Sequence, residues 1–313
     1  MTSIPNSAPQ LNVDLNADEL RTKPDYGFPF KAPQAFLRRI EAKNPQDPLL
    51  LQILPDIREN DEIDGFITDP VGDLHKNPLP SLLHKYHGRV LLMASPRCDI
   101  HCRYCFRRHF PYQEQINRRH WQDALNYIRQ DNSIHEIILS GGDPLTLTTE
   151  SLLQLLAAIE TIPHIKTLRF HSRTPVVMPE KTVHRSIIEW AEQTRLHTVM
   201  VIHCNHPQEL DQKTAALFAD YRSGGMHLLN QSVLLRRVND TLETLESLSH
   251  KLFSQGVLPY YLHQLDRVSG SAHFEVSDNI ALSLHAALRA RLPGYLVPQL
   301  VREISGQPNK TPM

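Results

Sequence analysis

The chain has 313 residues, 41% of them hydrophobic, enough to bury the core of one large α/β domain with appendages or of two ordinary domains. Thirty-three basic and 34 acidic side chains leave a formal charge of −1, so no global field directs the protein to nucleic acid or a membrane surface. No apolar run approaches the roughly 18–20 residues that span a bilayer. The opening MTSIPNSAPQLNVDLNADEL has neither the basic nor the apolar region of a signal peptide, so a cytoplasmic location is the expectation.

Residues 1–85 are rich in Pro, Asp and Asn, with helical patterns over 32–43 and 49–54 and a loop-like stretch, TDPVGDLHKNPLP, over 68–80. They read as a helical arm or cap on a main domain. Over 86–292, short apolar runs alternate with amphipathic ones. The patterns predict strands at 90–94, 136–140, 166–171, 198–203, 227–232 and 259–264. Helices are predicted at 121–130, 150–159, 183–194, 211–221, 242–255 and 278–290. Six βα units in a row imply a parallel sheet with helical crossovers. Their number and length suit a partial (β/α)6 TIM-like barrel better than a complete one with eight units. A flat doubly wound sheet shows the same alternation, so the pattern alone leaves both open. Residues 293–313 form a separate C-terminal segment.

Four cysteines are too few for a disulfide framework, and three of them, Cys98, Cys102 and Cys105, are clustered. In a cytoplasmic chain such a cluster points to metal or redox chemistry. The C-x3-C-x2-C spacing follows the first predicted barrel strand directly, on an edge where parallel barrels carry functional loops. Three thiolates can ligate three irons of a 4Fe–4S cluster and leave the fourth open to a small molecule. A structural zinc would need a fourth ligand, which His101 or His109 would supply. Cys204, alone on a predicted strand, reads as a small buried hydrophobe. The next strand ends in SGGDPL. There Gly141 and Gly142 let backbone approach a ligand closely, and Asp143 adds an acceptor.

With Tyr104 just before its last cysteine, this loop resembles that of the radical S-adenosylmethionine (SAM) enzymes. In these a glycine motif on the next strand holds the amino group of SAM. Over residues 83–312 the resemblance narrows to lysine 2,3-aminomutases. It is carried by LLHKYHGRVLL, CRYCFRRHFPY, SGGDPL, HSRTPVVMPEK, HCNHPQE, LLNQSVLLRRVND, YYLHQLDRVSGSAHF and GYLVPQLVREISGQPNKTP. Residues 106–112, the KNPQDPLLLQILP of the arm and the closing NKTP resemble the branch that supplies β-lysine for modifying elongation factor P.

The resemblance implies a radical SAM barrel with a C-terminal tail that binds pyridoxal phosphate (PLP). It implies an isomerase that moves the amino group of L-lysine from C2 to C3 using SAM, a 4Fe–4S cluster and PLP. Carried over residue by residue, Cys98, Cys102 and Cys105 hold the cluster. Gly141, Gly142, Asp143, His203 and Gln231 line the SAM pocket. Lys310 is the PLP lysine, and Lys85, Tyr86 and Arg89 serve the PLP phosphate. Arg107 pairs with the substrate carboxylate, and Asp266 and Glu303 receive its ε-ammonium. Three positions depart from the family pattern. Glu303 stands where lysine enzymes have an aspartate, SGQPN replaces a glycine-rich run, and Lys85 replaces a common arginine, keeping the charge but losing the fork.

A flavodoxin- or ferredoxin-type reductant, elongation factor P and its β-lysine ligase are the implied partners. Acids at 266 and 303 argue against glutamate as substrate and leave arginine as an alternative. The non-enzymatic alternative is a zinc-binding module that recognises elongation factor P.

Overall fold

The computed structural model describes residues 27–116 and 118–313; residues 1–26, which carry the signal-peptide argument, lie outside the described residues. Among the described residues nine strands form one sheet in strict chain order. They are β1 (Leu82–Tyr86), β2 (Arg89–Ser95), β3 (Glu136–Gly141), β4 (Thr167–Ser172), β5 (His197–His203), β6 (His227–Val233), β7 (Leu258–His263), β8 (Gln299–Arg302) and β9 (Thr311–Pro312). β2 to β8 run parallel, while β1 and β9 are antiparallel additions at the two edges.

Each parallel connection carries a helix: α1 (Arg118–Gln130), α2 (Thr149–Glu160), α3 (Val183–Ala191), α4 (Gln212–Ser223), α5 (Leu242–Ser254) and α6 (Asp278–Arg291). A doubly wound sheet reverses its strand order at a switch point. Here the order never reverses, so crossovers of one hand lay every helix on the same face. The sheet curls around its other face, where side chains from β1 through β7 line one cavity. The architecture is therefore the partial parallel α/β barrel expected from the sequence.

Alternation within each strand builds both the core and the site. On β4, Leu168 and Phe170 point outward into the layer shared with the helices, while Arg169 and His171 line the cavity. Thr148 caps α2 by accepting from Ser151 N, and Leu152, Leu155, Leu156 and Ile159, spaced by three and four, bury its inner face. No helix among the described residues is long and apolar enough to cross a membrane.

The six predicted strands match β2 to β7. The structure adds β1, joined to β2 by a tight turn with Gly88 at φ 74°, and β8, a seventh parallel strand of only four residues. The two-residue β9 is a third addition, and it and β8 are too short to show a pattern. The helix expected over 32–43 shrinks to one turn, Gln34–Leu37. Lys43 then adopts φ 66°, and Asp47 caps a second turn, Pro48–Leu51, with its carboxylate on Leu49 N and Leu50 N. Burial outweighs helix propensity here: Phe36, Leu37, Ile40, Leu49, Leu50 and Ile53 pack around Ile100 and Val177, pinning the arm to the cysteine loop.

Candidate active site

The loop after β2 carries all three clustered cysteines, and each lines the mouth of the barrel cavity, whose volume is about 300 Å³. The arm fixes this loop from outside. Arg103, fully buried between two of the cysteines, donates from Nε and Nη2 to the two oxygens of Glu59 at 2.8 and 2.5 Å. Arg108 adds a bond of 2.7 Å to the same carboxylate. The loop backbone bonds to the arm as well, through His101 N to Lys31 O (2.9 Å) and Arg103 N to Gln52 O (2.8 Å).

Burial, and the neighbouring Cys105, Asp143 and Cys102, push the Cys98 thiol well up; burial and Cys102 push Cys105 to about 11. Thiols held protonated in this way ionise against added positive charge, which a bound metal centre supplies. The zinc alternative fits less well. His101 holds Nδ1 2.7 Å from Pro29 O and His109 holds Nε2 3.1 Å from Ser269 O, so each keeps one ring nitrogen for a ligand, but neither is gathered with the thiols. Among the described residues no three His, Cys, Asp or Glu side chains converge on one point. A single zinc requires such convergence; three irons, each taking one thiolate, do not.

The SGGD turn at the end of β3 packs directly beneath the cysteine loop. A Cβ on Gly142 would lie 2.3 Å from Arg97 O, and Gly141 sits at φ 117° with Ser95 O 2.6 Å from its would-be Cβ. Gly142 N and Asp143 N donate to Ser95 O and Arg97 O, both at 2.7 Å. These glycines thus allow close contact between two backbones as well as lining the cavity. The Asp143 carboxylate is occupied by the protein itself: it accepts from Ser172 Oγ and from the backbone N–H groups of Leu145, Arg173 and Thr174.

Behind the cysteines lies a buried polar network whose Gln52, Arg173 and Glu209 the sequence reading did not single out. Arg173 donates to Cys102 Sγ at 2.6 Å, Tyr104 Oη at 2.7 Å, Gln52 Oε1 at 2.7 Å and Glu209 Oε2 at 3.0 Å. Tyr104 Oη in turn meets His203 Nε2 at 2.8 Å. With burial as the main cause, and Arg173 adding to it, His203 drops to about 3 and is neutral. Gln231, its register partner on β6, lines the same cavity.

Deeper in the barrel the remaining expected residues form a chain of alternating charge. Arg107 Nε donates to Asp73 Oδ2 at 2.7 Å, and Asp73 Oδ1 pairs with Lys85 Nζ at 2.6 Å. Lys85 also donates to Glu303 Oε1 at 2.9 Å, and Lys310 donates to Glu303 Oε2 at 2.8 Å. Burial opposes ionisation of Glu303, but Lys310 and Lys85 outweigh it and hold the carboxyl far below its ordinary range. Tyr86 stands beside Glu303, and burial, then that carboxylate, push its phenol up. Arg89 lies 5.0 Å over the Tyr86 ring, and Lys310 5.9 Å over Tyr261.

Asp266 faces the same space, and burial followed by Glu303 pushes it up to about 7. Asp73 was missed because it belongs to a loop-like stretch where an aspartate reads as a turn residue. His171 and His263, also missed, line the cavity from β4 and β7; burial is the first cause holding both well below their ordinary range. Strand alternation was the available signal for these two.

Lys310 and a chain of paired charges thus line an open cavity in the barrel, with a three-thiol loop at its mouth. Residues 92–201 match the model of the radical SAM superfamily, which sets the class of enzyme. The chain is 48% identical to the L-lysine 2,3-aminomutase of Haemophilus influenzae over 91% of its own length and 84% of the relative's. It is also 48% identical to the Escherichia coli enzyme of that name, over 91% of this chain and 83% of the other. Against that of Clostridium subterminale the identity is 33%, over 89% of this chain and 67% of the other. This chain belongs to the L-lysine 2,3-aminomutase family. Among solved structures, a radical SAM methyltransferase from Sphaerobacter thermophilus superposes with a TM-score of 0.49 at 16% identity, covering 71% of this chain and 68% of the other.

Proposed function

We propose that this protein is a cytoplasmic L-lysine 2,3-aminomutase that supplies β-lysine for the modification of elongation factor P. The observation that carries the reading is the continuous charged chain from Arg107 to Lys310 inside a barrel whose mouth holds three cysteines. When bound, the 4Fe–4S cluster with SAM supplies a carbon-centred radical, and PLP supplies a carrier for the migrating amino group.

Cys98, Cys102 and Cys105 hold the cluster; Gly141, Gly142, His203 and Gln231 shape the SAM pocket, with Asp143 bracing its floor. Lys310 anchors PLP, and Lys85, Tyr86 and Arg89 hold its phosphate. Arg107 takes the substrate carboxylate through its fork of donors. Asp266 and Glu303 take the ε-ammonium, so both ends of lysine are fixed while C3 faces the reacting centre. Glu303 is paired with Lys85 and Lys310 in the ligand-free protein. With Lys310 engaged by PLP, Glu303 would have one oxygen available for the substrate ammonium.

Of the arm (residues 1–85), the described part from residue 27 onward braces the cysteine loop, residues 86–292 form the barrel, and residues 293–313 bring Lys310 back over the cavity. A flavodoxin- or ferredoxin-type protein delivers the electron, and a separate ligase attaches the product to elongation factor P.

The test is an anaerobic assay of reconstituted protein with dithionite, SAM, PLP and labelled L-lysine. β-Lysine formed only with both SAM and PLP is expected. Cleavage of SAM without β-lysine would reject the substrate assignment. Deleting the gene should leave elongation factor P without β-lysine by intact-protein mass spectrometry, and added β-lysine should restore it. An unchanged mass on deletion rejects the link.

A further inference from the structure

We propose that Asp73, brought in by the arm, is a positioning residue that aligns Arg107 and Lys85 and so makes the site select a substrate bearing a carboxylate; this rests on the proposed function. The carboxylate is 1% exposed and sits between two cations, 2.7 Å from Arg107 Nε and 2.6 Å from Lys85 Nζ. Its two oxygens are thus divided between the residue proposed for the substrate carboxylate and one proposed for the PLP phosphate.

The consequence for Arg107 is orientation. Asp73 takes the Nε edge, and the guanidinium lies 4.7 Å over the Phe106 ring. The terminal nitrogens are left nearly unengaged, with Nη1 reaching Ser140 Oγ only at 3.4 Å. They form the edge that binds two carboxylate oxygens in parallel. The trio Arg107–Asp73–Lys85 keeps one net positive charge for an incoming anion. Without the aspartate, two cations would face each other and Arg107 would lose its 2.7 Å hydrogen bond.

The backbone is bent to deliver this side chain. Asp69 accepts from Asp73 N at 2.9 Å and Leu74 N at 3.1 Å, and Gly72 at φ 65° makes the turn, its would-be Cβ only 2.3 Å from Ser305 Oγ. Although burial opposes its ionisation, Arg107 and Lys85 hold the Asp73 carboxyl below its ordinary range.

The test compares wild type with Asp73→Asn, which keeps shape and removes charge. Equilibrium binding of L-lysine and of 1,5-diaminopentane, the same chain without the carboxylate, is read from the absorbance of bound PLP. Iron content and kinetics are followed in parallel. The expected result is lysine binding weaker by about tenfold, KM raised similarly, kcat within about threefold and diamine binding within about twofold. A purely structural role would weaken both ligands alike. That outcome, or unchanged lysine binding, overturns the proposal. If Asp73→Asn is insoluble, Asp73→Glu carries the test, because its extra methylene displaces Arg107 while keeping the charge. The same selective loss for lysine is expected, and wild-type selectivity overturns the proposal. Wild-type protein that forms no β-lysine rejects the parent reading, while the comparison of the two ligands still decides the role of Asp73.

Discussion

Asp266 makes lysine recognition dependent on pH in a range that is easily measured. Burial and the adjacent Glu303 push its carboxyl up to about 7, against the pull of Lys310 and Lys85. Its neighbours do not share this titration. Glu303 is held far below its usual range, Lys85 above its own, and His171, His203 and His263 are held neutral, in each case chiefly by burial for the histidines.

Asp266 attracts the ε-ammonium only when ionised, while Glu303 stays charged throughout, so the pH-dependent part of the apparent affinity scales with the ionised fraction of Asp266. That fraction is about one tenth at pH 6 and about nine tenths at pH 8, so the lysine KM should fall roughly tenfold as pH rises across this range. The sign follows from a raised carboxyl: protonated and weakly binding below the midpoint, ionised above it. The assay is the lysine KM at half-unit steps with saturating SAM and PLP. The substrate's own α-amine contributes a separate rise at higher pH, and Asp266→Asn isolates it. That variant should bind lysine weakly and lose the inflection near neutrality. A KM changing less than about twofold between pH 6 and 8, or the same inflection in Asp266→Asn, would refute the reasoning.

Cys102→Ala should lose most of its iron and all β-lysine formation after anaerobic reconstitution; full turnover in that variant would count against the cluster assignment. Lys310→Ala should retain iron yet lose the absorbance of lysine-bound PLP, and persistence of that absorbance would mean another lysine carries the cofactor. Glu59→Gln should destabilise the fold by about 3–5 kcal/mol in equilibrium unfolding, because the side chains of Glu59, Arg103 and Arg108 are all buried and both guanidinium charges lose their carboxylate. A loss under about 1 kcal/mol would mean the arm does not brace the cysteine loop. Gly142→Ala should lower bound iron per chain, since its Cβ would collide with the Arg97 carbonyl and shift the loop; iron at the wild-type level would show that the loop yields without cost.

Much of this protein is legible one residue at a time. The short apolar runs of β2 to β7 and the helical spacing between them report burial that each segment imposes on itself. The three cysteines announce themselves because their ligand spacing is local to one loop. Lys310 and Glu303, seven residues apart, could be carried over from a family pattern, and the structure pairs them at 2.8 Å.

What the sequence left undecided depends on contacts between distant segments. Barrel against doubly wound sheet turns on whether the strand order reverses, and that is a property of tertiary topology. The four-residue β8 becomes a strand only because β7 offers it a ladder. Lys85, Glu303 and Lys310 carried visible signals, but their union with Asp73 and Arg107 spans more than 200 residues of chain, with Lys85 and Glu303 alone 218 apart. Asp73 itself looks like a turn residue until folding removes water from its carboxylate and supplies two cations in its place. Chain-local periodicity and spacing thus set the elements and the cysteine loop, whereas the charge pairing inside the barrel exists only where distant side chains share one desolvated space.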